Sequence, residues 1–312
     1  MIQVRLHAGS DSHRTARRSG RDLLDALARA LRRSRPPLPP AALARLARPS
    51  LQRFAELRKK SVPALLDGVV DAWPGRANLE LPRLRERFGN RVVTASPTRD
   101  SQVVCEARTG IAFQTVPLGD YLDRLERGDW PDTYVHGDGH TWLPELQDEV
   151  RPPEYCRNAS WQLSRFWLSP PQMSSPLHRH GTENLFFQLI GRKRFYLYAP
   201  AATAWLYSNP LRSALPNFSR FDPEQADYTR FPLSRRVQPL EVILEPGDAI
   251  YLPSGWWHQV RSLTVSLSVN FFFADGVLAV AQRVTERLKR ARRLDAYGLQ
   301  PRLGAGGSPD VP

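Results

Sequence analysis

At 312 residues, with 41% hydrophobic and 24% charged residues, the chain has the composition of a globular protein with a substantial core, which excludes disorder throughout, a membrane bundle and a disulfide scaffold. The net charge of +13 is uneven: residues 1–60 hold 15 Arg/Lys against 4 Asp/Glu, residues 61–282 hold 22 against 24, and residues 283–312 hold 7 against 3. The middle of the chain is nearly neutral and its flanks are basic, as solvated Arg-rich helices or as segments that attract nucleic acid, a membrane surface or an acidic peptide; the flanks lack the interleaved aromatic residues of a base-stacking platform.

In chain order, Leu23, Leu24, Leu27 and Leu31 at helical spacing, with Asp22 and Asp25 early and Arg32 and Arg33 late, predict a helix over 20–33. Pro36, Pro37, Pro39 and Pro40 end it. Short helices are predicted at 40–47 and 50–59, so residues 1–60 read as a basic helical extension or, with the prolines as a stiff linker, as a mobile arm. From Ser61 the texture changes to a short strand and turn, a helix ending near Gly89, strands at 91–97 and 101–107, and a helix at 117–128 with Leu118, Tyr121, Leu122 and Leu125 on one side. Tyr134 and Val135 suggest another short strand.

The second half is richer in strands, at 161–169, 183–191, 193–200, 241–253 and 264–273. In the last, Val265, Leu267, Val269 and Phe271 share one face and Ser266, Ser268 and Asn270 the other, the pattern of a barrel strand whose polar face lines a site. Residues 274–298 read as an amphipathic C-terminal helix and 299–312 as a flexible tail. Cys105 and Cys156 make no CxxC pair, the first 20 residues contain no secretory apolar run, and no segment reads as membrane-spanning, so the expected location is cytoplasmic.

His178 and His180 alternate in PLHRHGTEN, so on an extended strand both imidazoles point to one side. His258, in PGDAIYLPSGWWHQV, is the third candidate ligand, held behind a proline-glycine loop and two tryptophans. Imidazole suits iron, nickel, copper or zinc. His7, His13, His136 and His140 lack comparable strand context. Taken singly, each motif is equally a polar turn; together, in a strand-rich half, they point to a metal.

These motifs carry a resemblance. Residues 61–273 resemble the cupin-like JmjC oxygenases, especially the asparaginyl hydroxylase that acts on hypoxia-inducible factor, through SVPALLDGVVDAWP, SSPLHRHGTENLFFQLIGRKRFYLYAP, the WLYSNP to DYTRFP stretch, PGDAIYLPSGWWHQV and SLSVNFFF. The resemblance implies a mainly β double-stranded β-helix with flanking helices, Fe(II), and consumption of 2-oxoglutarate and O2 to hydroxylate a protein, peptide, amino acid or tRNA base. It makes His178 and His258 metal ligands and Lys193 the partner of the distal carboxylate of 2-oxoglutarate, with Ser175, Asn184, Asn270 and Tyr134 beside the co-substrate.

The family's HxD is here His178-Arg179-His180, so a neutral nitrogen stands where a carboxylate is usual. Three outcomes are open: His180 ligates, giving a three-His centre that still takes 2-oxoglutarate; it turns away; or the site holds another metal, such as copper or nickel, without 2-oxoglutarate. A catalytically inactive peptide-binding scaffold is a further alternative. Glu183 faces away from His180 on a regular strand. Arg179, Arg194, Trp257 and Trp161 are the candidate contacts to a peptide, protein or amino-acid-derived substrate, although a regular HxH strand turns Arg179 from the metal. There is no recognisable nucleic-acid reader, which leaves only a tRNA base open. Val277, Leu278, Val280, Ala281, Val284 and Leu288 either seal one end of the barrel or, as the resemblance implies, form a homodimer.

Overall fold

A computed structural model describes residues 42–73, 75–106, 108–137, 144–147, 149–159, 161–277, 279–281 and 284. The helix expected at 20–33, the tail at 299–312 and most of the helix expected at 274–298 lie outside them. The first half contains β1 (Ala44–Ala47), α1 (Leu51–Lys60), β2 (Ala64–Asp67), α2 (Leu81–Phe88), β3 (Val92–Arg99), β4 (Gln102–Val103), β5 (Cys105–Glu106), β6 (Gly110–Ile111), β7 (Gln114–Pro117), α3 (Leu118–Arg127), β8 (Thr133–Gly137) and α4 (Glu154–Arg157). There follow β9 (Trp161–Ser169), β10 (Ser174–Arg179), β11 (Glu183–Ile190), β12 (Lys193–Tyr198), β13 (Leu240–Leu244), β14 (Ala249–Leu252), β15 (Trp257–Ser262) and β16 (Ser266–Ala274).

Local chemistry accounts for the helices. Ser50 caps α1 by accepting a hydrogen bond from the Arg53 amide at 3.1 Å, and Arg58, Lys59 and Lys60 complement the dipole at its other end. Phe54 and Leu57 turn inward, and Phe54 meets Tyr155 at 4.6 Å and Tyr251 at 4.8 Å between ring centroids. Such pairs add about 0.5–1.5 kcal/mol each beyond the area they bury. In α3 the four apolar residues named from the sequence are all buried.

The helix expected at 40–47 is instead a strand from Ala44. It pairs in parallel with β2, Ala44 opposite Ala64 and Ala47 opposite Asp67, while Arg45 bonds Asp67 at 2.5 Å and Asp248 at 2.8 Å. Ala, Leu and Arg are good helix formers, but propensity yields to tertiary context, and here an open sheet edge with two carboxylates outweighs it.

Fourteen strands form one sheet, thirteen of them along the hydrogen-bonded path β1-β2-β14-β11-β16-β9-β8-β3-β4-β10-β15-β12-β13, with β7 attached to β3. β1 and β13 end the path and are not paired to each other, so the expected closed barrel is not seen among the described residues. The architecture is a cupin-like arrangement of strands with flanking helices. Its two limbs, β2-β14-β11-β16-β9-β8 and β10-β15-β12-β13, both contribute residues to one cleft.

The alternation of β16 positions that cleft. Leu267, Val269, Phe271 and Phe273 enter the large core beneath α1, α2 and α3. Ser266, Ser268 and Asn270 are buried on the other face, where Ser268 donates to Gln188 Oε1 at 2.8 Å and Asn270 reaches the cleft. A second core of Phe186, Phe195, Leu197, Ile250 and Trp256 lies between the limbs, and a third, around Trp257, Leu177, Tyr198 and Phe221, backs β10 and β15.

The β11–β12 turn is the tightest point. Gly191 has φ +69°, and a Cβ there would stand 1.9 Å from the Val265 carbonyl oxygen. Gly191→Ala is therefore expected to destabilise the fold by about 2–4 kcal/mol, read as a lower denaturant midpoint at unchanged slope. An unaltered midpoint would mean that the turn does not set where β12 begins, and with it Lys193.

Candidate metal centre

β10 and β15 are antiparallel neighbours with His178 opposite His258. This register, which no local pattern reveals, brings together residues 80 positions apart. His180 lies just beyond the end of β10, where its carbonyl accepts the Gly255 amide hydrogen bond at 2.8 Å. The potential ligand atoms of His178, His180 and His258 all lie within 4.8 Å of one another. The Nε2 atoms of His178 and His180 are 3.1 Å apart. Two nitrogens at right angles around one cation, at ordinary bond lengths of about 2.0–2.1 Å, stand about 3.0 Å apart.

Hydrogen bonds set the tautomers. His178 Nδ1 donates to the Pro176 carbonyl at 2.8 Å and His258 Nδ1 to the Trp256 carbonyl at 3.1 Å, since a carbonyl can only accept. In the neutral ring this leaves the Nε2 lone pair for a cation, the usual outer-sphere device of histidine ligands. Burial pushes the His178 pKa down to about 4. His258 is held well below its ordinary value by burial and then by nearby His178. Phe218 stacks on His178 at 5.0 Å and 18°, and Phe272 packs against His180 at 4.6 Å.

The three histidines line a small cleft with about 60 Å³ of free interior space. Tyr134, Ser175, Asn184 and Asn270 share its wall. Trp167 Nε1 donates to Asn270 Oδ1 at 2.6 Å, and Asn270 Nδ2 donates to Asn184 Oδ1 at 2.8 Å. Ser175 Oγ accepts from the Val260 amide at 3.3 Å.

Lys193 is 0% exposed, and its Nζ has no hydrogen-bond partner. The rings of Tyr134 and Phe186 lie 5.7 and 5.5 Å from it, and burial drives its pKa down to about 7. Two aromatic faces compensate only part of the desolvation of an ammonium. A carboxylate would supply the rest. The donor set therefore fits a metal held by imidazoles with a dicarboxylate reaching toward Lys193.

Other sequence candidates lie elsewhere. Arg179 turns away from the metal side, its guanidinium 4.9 Å from the Trp257 ring and bonded to Thr203 Oγ1 at 3.3 Å. Trp257 is fully buried behind β15 and donates to Thr203 at 2.9 Å. Arg194, on the face of β12 opposite Lys193, pairs with Glu241 at 2.9 Å. None of the three lines the cleft, because each is adjacent in its strand to an inward residue. The side chain of Trp161 lies outside the described residues. Glu183 bonds Arg58 at 2.7 Å and takes no part in the histidine cluster.

Sequence reasoning missed His136. It sits on β8 and lines the cleft, stacks on Trp167 at 5.2 Å and 13°, and hydrogen-bonds Ser96 Oγ at 2.8 Å. Burial, with Arg165 nearby, lowers its pKa to about 3. Its position two residues after Tyr134 was the available signal. Phe218, on an irregular segment, had none.

Comparison with known proteins gives the family. The model of the cupin-like domain matches residues 50–277, and the chain belongs to that family. It is 30% identical over 238 residues to Jumonji C domain-containing protein 5 of Drosophila melanogaster, covering 72% of this chain and 58% of the relative. Lysine-specific demethylase 8 of Danio rerio is 30% identical, with 72% and 57% covered, and lysine-specific demethylase JMJ30 of Arabidopsis thaliana is 35% identical, with 68% and 50% covered. The chain thus spans little more than half the length of these relatives. It carries a JmjC and cupin oxygenase-like domain with an atypical three-histidine cluster. Among the described residues, no helix is long and apolar enough to cross a membrane.

Proposed function

We propose that the domain is a non-haem Fe(II) and 2-oxoglutarate dependent oxygenase with a three-His centre, hydroxylating a peptide or protein side chain or an amino-acid-derived small molecule. The observation that carries this reading is the partnerless buried ammonium of Lys193 in the same fold interior as three converging imidazoles. Iron and 2-oxoglutarate, when bound, supply the O2-consuming chemistry that places oxygen on a C–H bond. His178, His180 and His258 hold the metal, Lys193 pairs with the distal carboxylate, and Ser175, Tyr134, Asn184 and Asn270 orient the co-substrate. Strands facing each other across the cleft support an opened double-stranded β-helix. Two free cysteines support a reducing cytoplasm.

One observation favours a second reading. The ligand set contains no carboxylate, and three neutral nitrogens also suit copper or nickel without 2-oxoglutarate. Elemental analysis of protein purified without added metal, followed by anaerobic titration with 2-oxoglutarate, separates the two. Fe(II)-dependent binding lost in Lys193→Ala supports the oxygenase. Copper or nickel at one equivalent with no 2-oxoglutarate binding supports the second reading, and no binding with any divalent metal leaves a scaffold.

We further propose a homodimer through the C-terminal helix, whose first turns leave Val277, Val280 and Val284 exposed while Ala279 is buried. Gel filtration at micromolar concentration is expected to give the mass of two chains. A monomer there rejects it.

A further inference from the structure

The chemistry of the cleft wall selects among substrates. Beside the histidines, Val103, Ile111, Phe218, Phe272 and Val260 form an apolar wall, and among the described lining residues there is neither Asp nor Glu. Outside the cleft, Glu183 pairs with Arg58, Glu241 with Arg194 and Glu224 with Arg261 at 2.6 Å, and the Asp222 carboxylate accepts from the side-chain amides of Gln102 and Gln259. The ionisable groups in or under the cleft are Cys105, Tyr134, His136, His178, His180, His258 and Lys193, none of them a carboxylate.

Replacing the family's aspartate by His180 removes one negative charge from the metal's surroundings. A dication held by three neutral imidazoles, together with the Lys193 ammonium, has three positive charges against the two of a dicarboxylate. A cationic side chain entering this space would lose its hydration against like charge with no carboxylate to receive it. An aliphatic side chain faces no such cost and buries its surface on the apolar wall.

Resting on the oxygenase reading above, we propose that the substrate presents an uncharged aliphatic carbon to the metal, of the kind carried by leucine, isoleucine or valine, and that lysine, methyl-lysine and arginine side chains are excluded. Two of the relatives described above are named as lysine-specific demethylases. This cleft holds no counter-ion for such a substrate among its described residues.

The test uses the full chain loaded with Mn(II) and 2-oxoglutarate, whose binding is verified first, so that failure of the oxygenase reading is seen separately. N-acetyl-leucinamide and N-acetyl-trimethyllysinamide serve as probes, and paramagnetic broadening of their methyl protons reports approach to the metal without turnover. The leucine methyls are expected to broaden at least tenfold more per added protein. Ile111→Asp, or Val103→Asp should the first fail to fold, places a carboxylate in the wall and is expected to reverse the order. Equal broadening of the two probes in the unaltered protein, or broadening of neither, overturns the proposal while leaving 2-oxoglutarate binding intact.

Discussion

Lys193→Met is expected to raise the stability of the ligand-free protein while abolishing its affinity for 2-oxoglutarate. The ammonium is fully buried, has no hydrogen-bond partner, and has a pKa of about 7 in the fold against an ordinary 10.5. Between those values the unfolded chain holds a proton that the folded chain lacks, so stability rises with pH from about 7 to about 10.5. Below about pH 7 the full cost remains, on the order of 5 kcal/mol from the size of the shift. Methionine fills similar space without a charge. Denaturant unfolding at pH 6 should therefore show Lys193→Met more stable by a few kcal/mol, with the gap closing toward pH 10.

The same variant should lose the stabilisation that 2-oxoglutarate confers, about 2.7 kcal/mol at a hundredfold excess over Kd. Near pH 8, binding to the unaltered protein should also take up protons, because a carboxylate beside Lys193 restores its charge. If the methionine variant were less stable at pH 6, or bound 2-oxoglutarate as well as its parent, Lys193 would not be the carboxylate partner.

The second large effect concerns His180. If all three imidazoles ligate, His180→Ala should weaken Fe(II) binding by at least a hundredfold, since even indirect partners of metal ligands are worth about 10–100-fold. The 3.1 Å approach of the His178 and His180 Nε2 atoms is the geometric basis for this. His180→Asp restores a carboxylate and should bind Fe(II) at least as tightly as the parent. Competition titrations with a chromogenic chelator measure all three. An alanine variant with unaltered affinity would leave a two-His centre and remove the charge argument for the substrate. Turnover seen only in the aspartate variant would make the natural site non-catalytic under those conditions.

Period-two alternation made much of the centre legible. It put His178 and His180 on one side with Arg179 on the other, and it split the faces of β16. The same rule, applied at Lys193 and Arg194 or at Trp257 and His258, would have removed Arg194 and Trp257 from the substrate groove; applied from Tyr134, it would have added His136. What the sequence withheld was non-local. The pairing of β10 with β15 depends on residues 80 positions apart, and β1 becomes a strand only because β2 offers an edge. Phe218 reaches His178 from an irregular segment with no repeat to read.

Arg58 bonds both Glu183 and Asp275, the latter 217 positions away, and Asn184 in the cleft wall follows Glu183 directly. On the other side, Ala44 stands level with Ala64, which pairs Tyr251, so β1 begins three strand spacings, about 14 Å, from β11. Arg58 therefore ties α1 both to the strand that carries Asn184 and to the end of the last strand, while β1 extends the same sheet at its edge.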